Sequence, residues 1–211
     1  LQGLTDLRLL GAGARFGAKL VTTSEELRRR VMTMLAANQV VDAATLAWLA
    51  DYRFSGTIRG YREGELYFPG SPVLTVEASF AEGVVLETLA LSIFNHDPAV
   101  ATAAARMSLA AGDRPLAEMG SRRAGEHSAV AAARAAFIAG FDATSNLEAG
   151  RSWGIPTMGT AAHAYTLLHD SEEQAFRSQL AAQGVGTTLL VDTYDIAEGV
   201  ATAIRVAGPN L

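Results

Sequence analysis

Two arginines, a Thr-Ser-Asn turn and a Gly-Thr-Ala-Ala-His turn follow one another between Gly120 and His163, in the stretch GSRRAGEHSAVAAARAAFIAGFDATSNLEAGRSWGIPTMGTAAH. These residue types point to anion chemistry. Arg122 and Arg123 can each hold a carboxylate or phosphate through two parallel hydrogen bonds. The competing reading is a surface ion pair with Glu118 or Glu126. The two are compatible if Glu118 orients one arginine while the other meets the ligand. The imidazole of His163 can move a proton, bind an anion when charged, or attack phosphorus as a nucleophile. It can equally be a structural histidine satisfied by a backbone carbonyl. Later in the chain, Asp192 and Asp195 flank Thr193-Tyr194. Such a carboxylate can help hold magnesium with phosphates or steady a cation-like sugar. Asp195 reads as the N-cap of the next helix, which leaves Asp192 as the group with chemistry to do. His96 and His169 lack an equally shaped loop before them, while His127 can contribute near the basic pair or simply occupy a helix face.

The elements that must position these groups follow from patterning. Thr23 with Glu26 forms a capping-box signal for a helix over 24–37, and Asp42 caps a second helix containing Leu46, Trp48 and Leu49. The stretch IRGYREGELYFPGSPVLTVEASF reads as short antiparallel strands punctuated by Gly60, Gly64, Gly70 and Pro72. A helix pattern covers 80–95, and Asp97 is placed as the cap of a separate Ala-rich helix ending near Ala111. Beyond it, the runs Pro115–Met119, Ile155–Met158 and Thr188–Val191 alternate with helices over 126–139, 160–169, 172–183 and 195–206. Phe141–Thr144 is a further short strand candidate. Alternation of this kind predicts a mainly parallel sheet or barrel. In a barrel the C-terminal strand ends share one rim. The groups following the runs are Glu118, Arg122 and Arg123; Thr144, Ser145 and Asn146; Gly159, Thr160 and His163; and Asp192 to Asp195. Thr160 is expected to cap its helix, with His163 about one turn inside.

Composition excludes several classes. The 211 residues are 49% hydrophobic and 18% charged, with a net charge of -5, so bulk attraction to nucleic acid or an acidic membrane is not expected. Without cysteine there is no disulfide, thiol nucleophile or Cys-ligated zinc. No apolar run long enough to span a bilayer is present, and no secretion signal is read, so a cytoplasmic location is the default expectation. There is no Walker loop and no His-x-x-x-His pair. Leu1 is not a start residue, and the chain ends near the turn-like Ala207-Gly208-Pro209-Asn210. A protein extending beyond the residues shown, with barrel closure outside them, is the expectation.

Four blocks together resemble nicotinate phosphoribosyltransferases of the bacterial type: ADYRFSGTIRGYREGELYFPGSPVLTVEASFAEGVVLETLALSIFNHD, AEMGSRRAGEHSAVAAARAAFIAGFDATSNLEAG, GIPTMGTAAHAYTLLHD and GTTLLVDTYDIAEGV. The resemblance implies an α/β fold: an irregular or incomplete β/α barrel of the type II phosphoribosyltransferase kind beside a smaller α/β domain. Residues 1–79 would belong to the smaller domain, and 80–211 to a helical connection and partial barrel carrying the active-site turns. The implied reaction joins nicotinate to 5-phosphoribosyl 1-diphosphate, giving nicotinate mononucleotide and diphosphate in NAD biosynthesis. ATP is a co-substrate, coupled through a phosphorylated histidine at His163, and Mg2+ is the implied cofactor. Arg122 matches an arginine near nicotinate or product, with Arg123 beside it, and Thr160 falls in the same ligand-facing turn. Thr144, Ser145 and Asp192 complete the expected substrate-binding set. The resemblance also implies a homodimer whose subunits share pocket residues. The family's opening aromatic ligand contact is not recognised before residue 24, and its later Asp-Ser-Gly motif and phosphate loops are expected beyond Leu211. Nicotinamide and quinolinate phosphoribosyltransferases are the enzyme alternatives, and a non-catalytic phosphate-ligand binding or assembly module is the alternative from another class.

Overall fold

A computed structural model describes residues 8–9 and 25–208 of the chain. They divide into two compact units, one ending at Pro156 and the other starting at Thr157. Each is described by itself.

The first unit opens with β1 (Arg8–Leu9), then helices α1 (Glu25–Ala37) and α2 (Ala43–Ala50). The expected Thr23 cap of α1 lies outside the described residues. Asp42 caps α2 as its position predicts, its Oδ1 accepting the Thr45 N–H at 2.7 Å. Three short strands follow: β2 (Thr57–Gly60), β3 (Leu66–Tyr67) and β4 (Leu74–Glu77). β2 pairs antiparallel with β4, and β3 pairs antiparallel with β1. Half-buried Ile58 and Leu74 pack on Ile93 of the next helix, as do its own Leu89 and Phe94, forming the first apolar cluster.

That helix, α3, runs unbroken from Phe80 to Ala111 over 32 residues, which corrects the expected break at Asp97. Pro98 withholds an N–H from the preceding turn. Burial carries the helix across nonetheless, because Ile93, Asp97, Pro98 and Ala101 are all sealed from solvent. Asp97 is not a cap; its Oδ1 lies 3.0 Å from His96 Nδ1. The start of α3 is fixed by a capping box: Ser79 and Glu82 bond reciprocally, and Glu82 Oε1 also accepts the Ser55 N–H at 2.8 Å.

Next come β5 (Ala117–Glu118), a 3-10 turn (Ser121–Arg123), α4 (Glu126–Ile138), β6 (Ala143–Thr144) and α5 (Leu147–Trp153). β5 and β6 pair in parallel, as the βα alternation predicts. Alanines 129, 131, 133, 135 and 136 of α4 are buried, so small side chains let it sit close against its neighbours. Ala133 joins Ala149 and Ile155 in a second cluster. Arg134 fastens this layer to the β2–β3 connection by a two-pronged pair with Glu63, both arms 2.6 Å, while its guanidinium lies 4.3 Å from the Trp153 ring centre.

The run Ile155–Met158 is not a strand, apart from one bridge residue at Thr157. Thr144 N–H does donate to Pro156 O at 3.0 Å, but Pro156 has no N–H to return, so the ladder stops.

The second unit contains α6 (His163–Leu167), α7 (Glu172–Gln183) and α8 (Ile196–Ala207). The expected strand at Thr188–Val191 is absent. The Thr188 carbonyl accepts from Gln179 Nε2 at 3.0 Å rather than from a strand neighbour. α8 lies directly on this run: a Cβ at Gly199 would collide with the Val191 carbonyl. Asp195 caps α8, its Oδ1 accepting the Glu198 N–H at 3.0 Å. Among the described residues no helix is long and apolar enough to cross a membrane.

Candidate active site

In the first unit the ends of β5 and β6 are tied into one hydrogen-bonded knot. The parallel pairing sets Glu118 beside Thr144. Ser145 N–H donates to Glu118 O at 2.8 Å, and Thr144 Oγ1 donates to Glu118 Oε2 at 2.8 Å. The other carboxylate oxygen, Oε1, accepts the Gly120 N–H. Asn146 completes the knot: its N–H donates to Thr144 Oγ1 at 3.0 Å, and its Nδ2 donates to Ser121 Oγ at 3.0 Å. Its Oδ1 caps α5 through the Ala149 N–H. The 3-10 turn bearing Arg122 and Arg123 is therefore held from behind, and both arginines are exposed.

Neither arginine has a carboxylate within ion-pair distance among the described residues. The ion pairs expected with Glu118 or Glu126 do not form. Glu118 meets a backbone N–H and a hydroxyl instead, and two guanidinium forks remain free to take an anion. Thr144 is fully buried, with its hydroxyl engaged in the knot. Ser145 is half-buried. Beside the knot, a cavity of about 920 Å³ is lined by Ser121, His127, Asn146 and Trp153, and a smaller one of about 250 Å³, lined by Ser108, Arg114 and Asp142, lies at the opposite end of β5 and β6.

In the second unit His163 is the first residue of α6. Thr160 does not cap this helix, and His163 is not one turn inside it. Thr160 Oγ1 donates to Ala161 O at 3.0 Å, and the extended Ala162 leads into the helix without a side-chain cap. The imidazole is 53% exposed on its side chain, with Asp192 similarly open at 52%. His163 Nδ1 lies 3.3 Å from Thr193 Oγ1, and Nε2 lies 3.9 Å from Asp192 Oδ1. The second distance is beyond a hydrogen bond but within ion-pair range when the ring is protonated. No backbone carbonyl satisfies this ring among the described residues. His169 is the contrasting case: its Nδ1 meets Tyr165 O at 2.8 Å and its ring lies tilted against the Tyr165 ring, centroids 4.6 Å apart.

Each unit thus gathers part of the expected set, Arg122, Arg123, Thr144 and Ser145 in one, Thr160, His163 and Asp192 in the other. Sequence reasoning missed α5 and the double role of Asn146. The signal was present, as an N-cap residue followed eight positions later by a glycine stop at Gly154. Thr193 as partner of His163 carried no signal, because it depends on a contact across 30 positions. Among the described residues no three His, Asp or Glu side chains cluster as a metal site.

No protein-family model matches the chain. It is 55% identical over 217 residues to "Nicotinate phosphoribosyltransferase pncB1" of Mycobacterium tuberculosis, covering 97% of this chain and 48% of that protein. Its fold matches the crystal structure of human Nicotinic Acid Phosphoribosyltransferase with a TM-score of 0.75 at 25% identity, covering 97% of this chain and 52% of that one. It also matches the nicotinate-nucleotide pyrophosphorylase of Pyrococcus furiosus in fold, with a TM-score of 0.71 at 24% identity over 92% of this chain and 56% of that one. The fold is the mixed α/β architecture of type II phosphoribosyltransferases, with open, irregular sheets. The chain spans about half the length of the curated relatives it matches, and over that span it is a homologue of the bacterial-type nicotinate phosphoribosyltransferases.

Proposed function

We propose that the protein transfers the 5-phosphoribosyl group of 5-phosphoribosyl 1-diphosphate to nicotinate, coupled to ATP. The observation that carries this reading is the 55% identity to a nicotinate phosphoribosyltransferase across 97% of the chain. The free arginine turn and the open histidine are what such a reaction needs.

Arg122, helped by Arg123, pairs with the nicotinate carboxylate and so fixes the ring. Orientation matters because the pyridine nitrogen must point its lone pair at the anomeric carbon. The new bond forms from that nitrogen, and the carbon–oxygen bond to diphosphate breaks with its electron pair leaving on oxygen. Ser145 and Thr160 are proposed substrate contacts; Thr144, expected beside them, is fully buried with its hydroxyl engaged by Glu118 and Asn146, so it is assigned no contact with the ligand. In the second unit His163 Nδ1 lies 3.3 Å from Thr193 Oγ1; in the tautomer that carries the proton on Nδ1, the Nε2 lone pair is left for the γ-phosphorus of ATP. The phosphorus–oxygen bond to ADP breaks with its electron pair leaving on oxygen, and the phosphorylated ring keeps its proton on Nδ1, facing Thr193 Oγ1. Asp192 Oδ1 stands 3.9 Å from Nε2 before reaction. Magnesium is the cofactor the family resemblance implies; among the described residues no three His, Asp or Glu side chains group as a site for it. In the same reading residues 1–79 belong to the smaller domain, 80–211 carry the connection and partial barrel, and the protein acts as a homodimer in the cytoplasm.

His163→Asn tests the coupling. The variant should fold normally, lose the acid-labile phosphoenzyme formed with labelled ATP, and lose ATP stimulation of transfer. Survival of both signals in the variant would refute the assignment of His163.

A further inference from the structure

We propose that Glu118 and Thr144 form a clasp that positions the Arg122–Arg123 turn for nicotinate, acting through the turn without touching the ligand. The inference rests on the nicotinate reading above and deepens it.

The argument starts from where Glu118 does not point. A carboxylate four residues before Arg122 would ordinarily neutralise a neighbouring arginine, yet no ion pair forms. Its two oxygens are occupied separately, Oε1 by the Gly120 N–H at the entry of the 3-10 turn and Oε2 by the Thr144 hydroxyl at the end of β6. Thr144 Oγ1 also accepts the Asn146 N–H, and Asn146 reaches back to Ser121 Oγ. The turn is gripped at Gly120 and at Ser121, immediately before Arg122. Glu118 is half-buried, and removing it leaves the Gly120 N–H and the hydroxyl of the fully buried Thr144 without their shared acceptor. Because Thr144 is fully buried, its contribution is to the clasp. Gly120 belongs to the same device: a Cβ there would stand 2.8 Å from Glu118 Oε1. Its φ of -86° suits any residue, so the absence of a side chain serves the carboxylate and not the backbone.

The test compares Glu118→Ala, Glu118→Gln, Gly120→Ala and Thr144→Val in the full-length protein. Gly120→Ala removes no functional group and only displaces the carboxylate, so it remains informative if Glu118→Ala fails to fold. We expect the KM for nicotinate to rise about tenfold in Glu118→Ala and about threefold in Gly120→Ala and Thr144→Val. The kcat and the KM for ATP should stay within about twofold of wild type. Adding Thr144→Val to Glu118→Ala should cost nothing further, because the two act as one unit. Glu118→Gln keeps one acceptor and should recover part of the affinity. Amide hydrogen exchange over 120–124 should quicken in each single variant, a readout that needs no turnover. An unchanged nicotinate KM in a folded variant would overturn the clasp. So would a proportional loss of kcat with every KM unmoved, additive effects in the double variant, or unaltered exchange in the turn. If the wild-type protein converts no nicotinate, the parent reading fails, and the exchange experiment still decides whether the clasp holds the turn.

Discussion

Arg122 and His163 differ in how their surroundings prepare them. Arg122 sits on a turn braced from behind and faces solvent with no carboxylate neighbour among the described residues, so its charge is available to a ligand. Replacing it with Ala should raise the nicotinate KM about 10- to 100-fold, the range for a lost charge-assisted hydrogen-bond pair, with the ATP KM within about twofold. Steady-state kinetics with each substrate varied checks this, and equal small changes in both would mark Arg122 as structural. The residue types at Arg122, His163 and Asp192 were legible in the sequence because charge and imidazole chemistry do not depend on packing. Their partners were not. Glu118 was legible as a neighbour of the arginines, but which donor it would meet depends on the β5–β6 register, and that register sets Thr144 opposite it.

At the scale of elements, caps were read more securely than breaks. Asp42 and Asp195 cap their helices as their positions predict, because capping is decided within four residues. Asp97 was misleading because the same local signal, an Asp before Pro, is overruled by burial along α3. Pro156 and the Gln179–Thr188 bond explain in the same way why two apolar runs are not strands. The capping box of α3 makes a pH prediction. Hydrogen bonds from the Ser55 backbone, then from the Ser79 and Ser55 hydroxyls and the Ser79 backbone, hold the Glu82 carboxyl down to about 2 against an ordinary 4.5. A depressed carboxylate stabilises the fold above its unfolded value, and that contribution is lost as pH falls from 4.5 through about 2. Glu82→Gln should therefore lower the melting temperature near neutrality, and the gap to wild type should close across this window. A gap independent of pH would show that the carboxylate charge is not what Ser55 and Ser79 hold. Gly199→Ala makes a second prediction. Ala in an exposed helix would stabilise by about 1 kcal/mol, but the collision with Val191 reverses the sign and should cost about 1–3 kcal/mol. Chemical denaturation reads the sign directly, and stabilisation would mean that α8 does not lie so close to the run before Asp192.

For the whole molecule, the parallel βα character was legible from the alternation of apolar runs and helices, and β5–β6 carries it. The division into units at Pro156 and Thr157 was not, because it depends on the density of contacts and not on any local pattern. The most direct measurement supplies the full-length protein with 5-phosphoribosyl 1-diphosphate and, in turn, nicotinate, nicotinamide or quinolinate, with and without ATP, and quantifies the mononucleotide formed. The account predicts nicotinate mononucleotide at a rate raised by ATP, with the other two bases at least about tenfold slower. No product from nicotinate under any of these conditions, or equal use of nicotinamide, would contradict it.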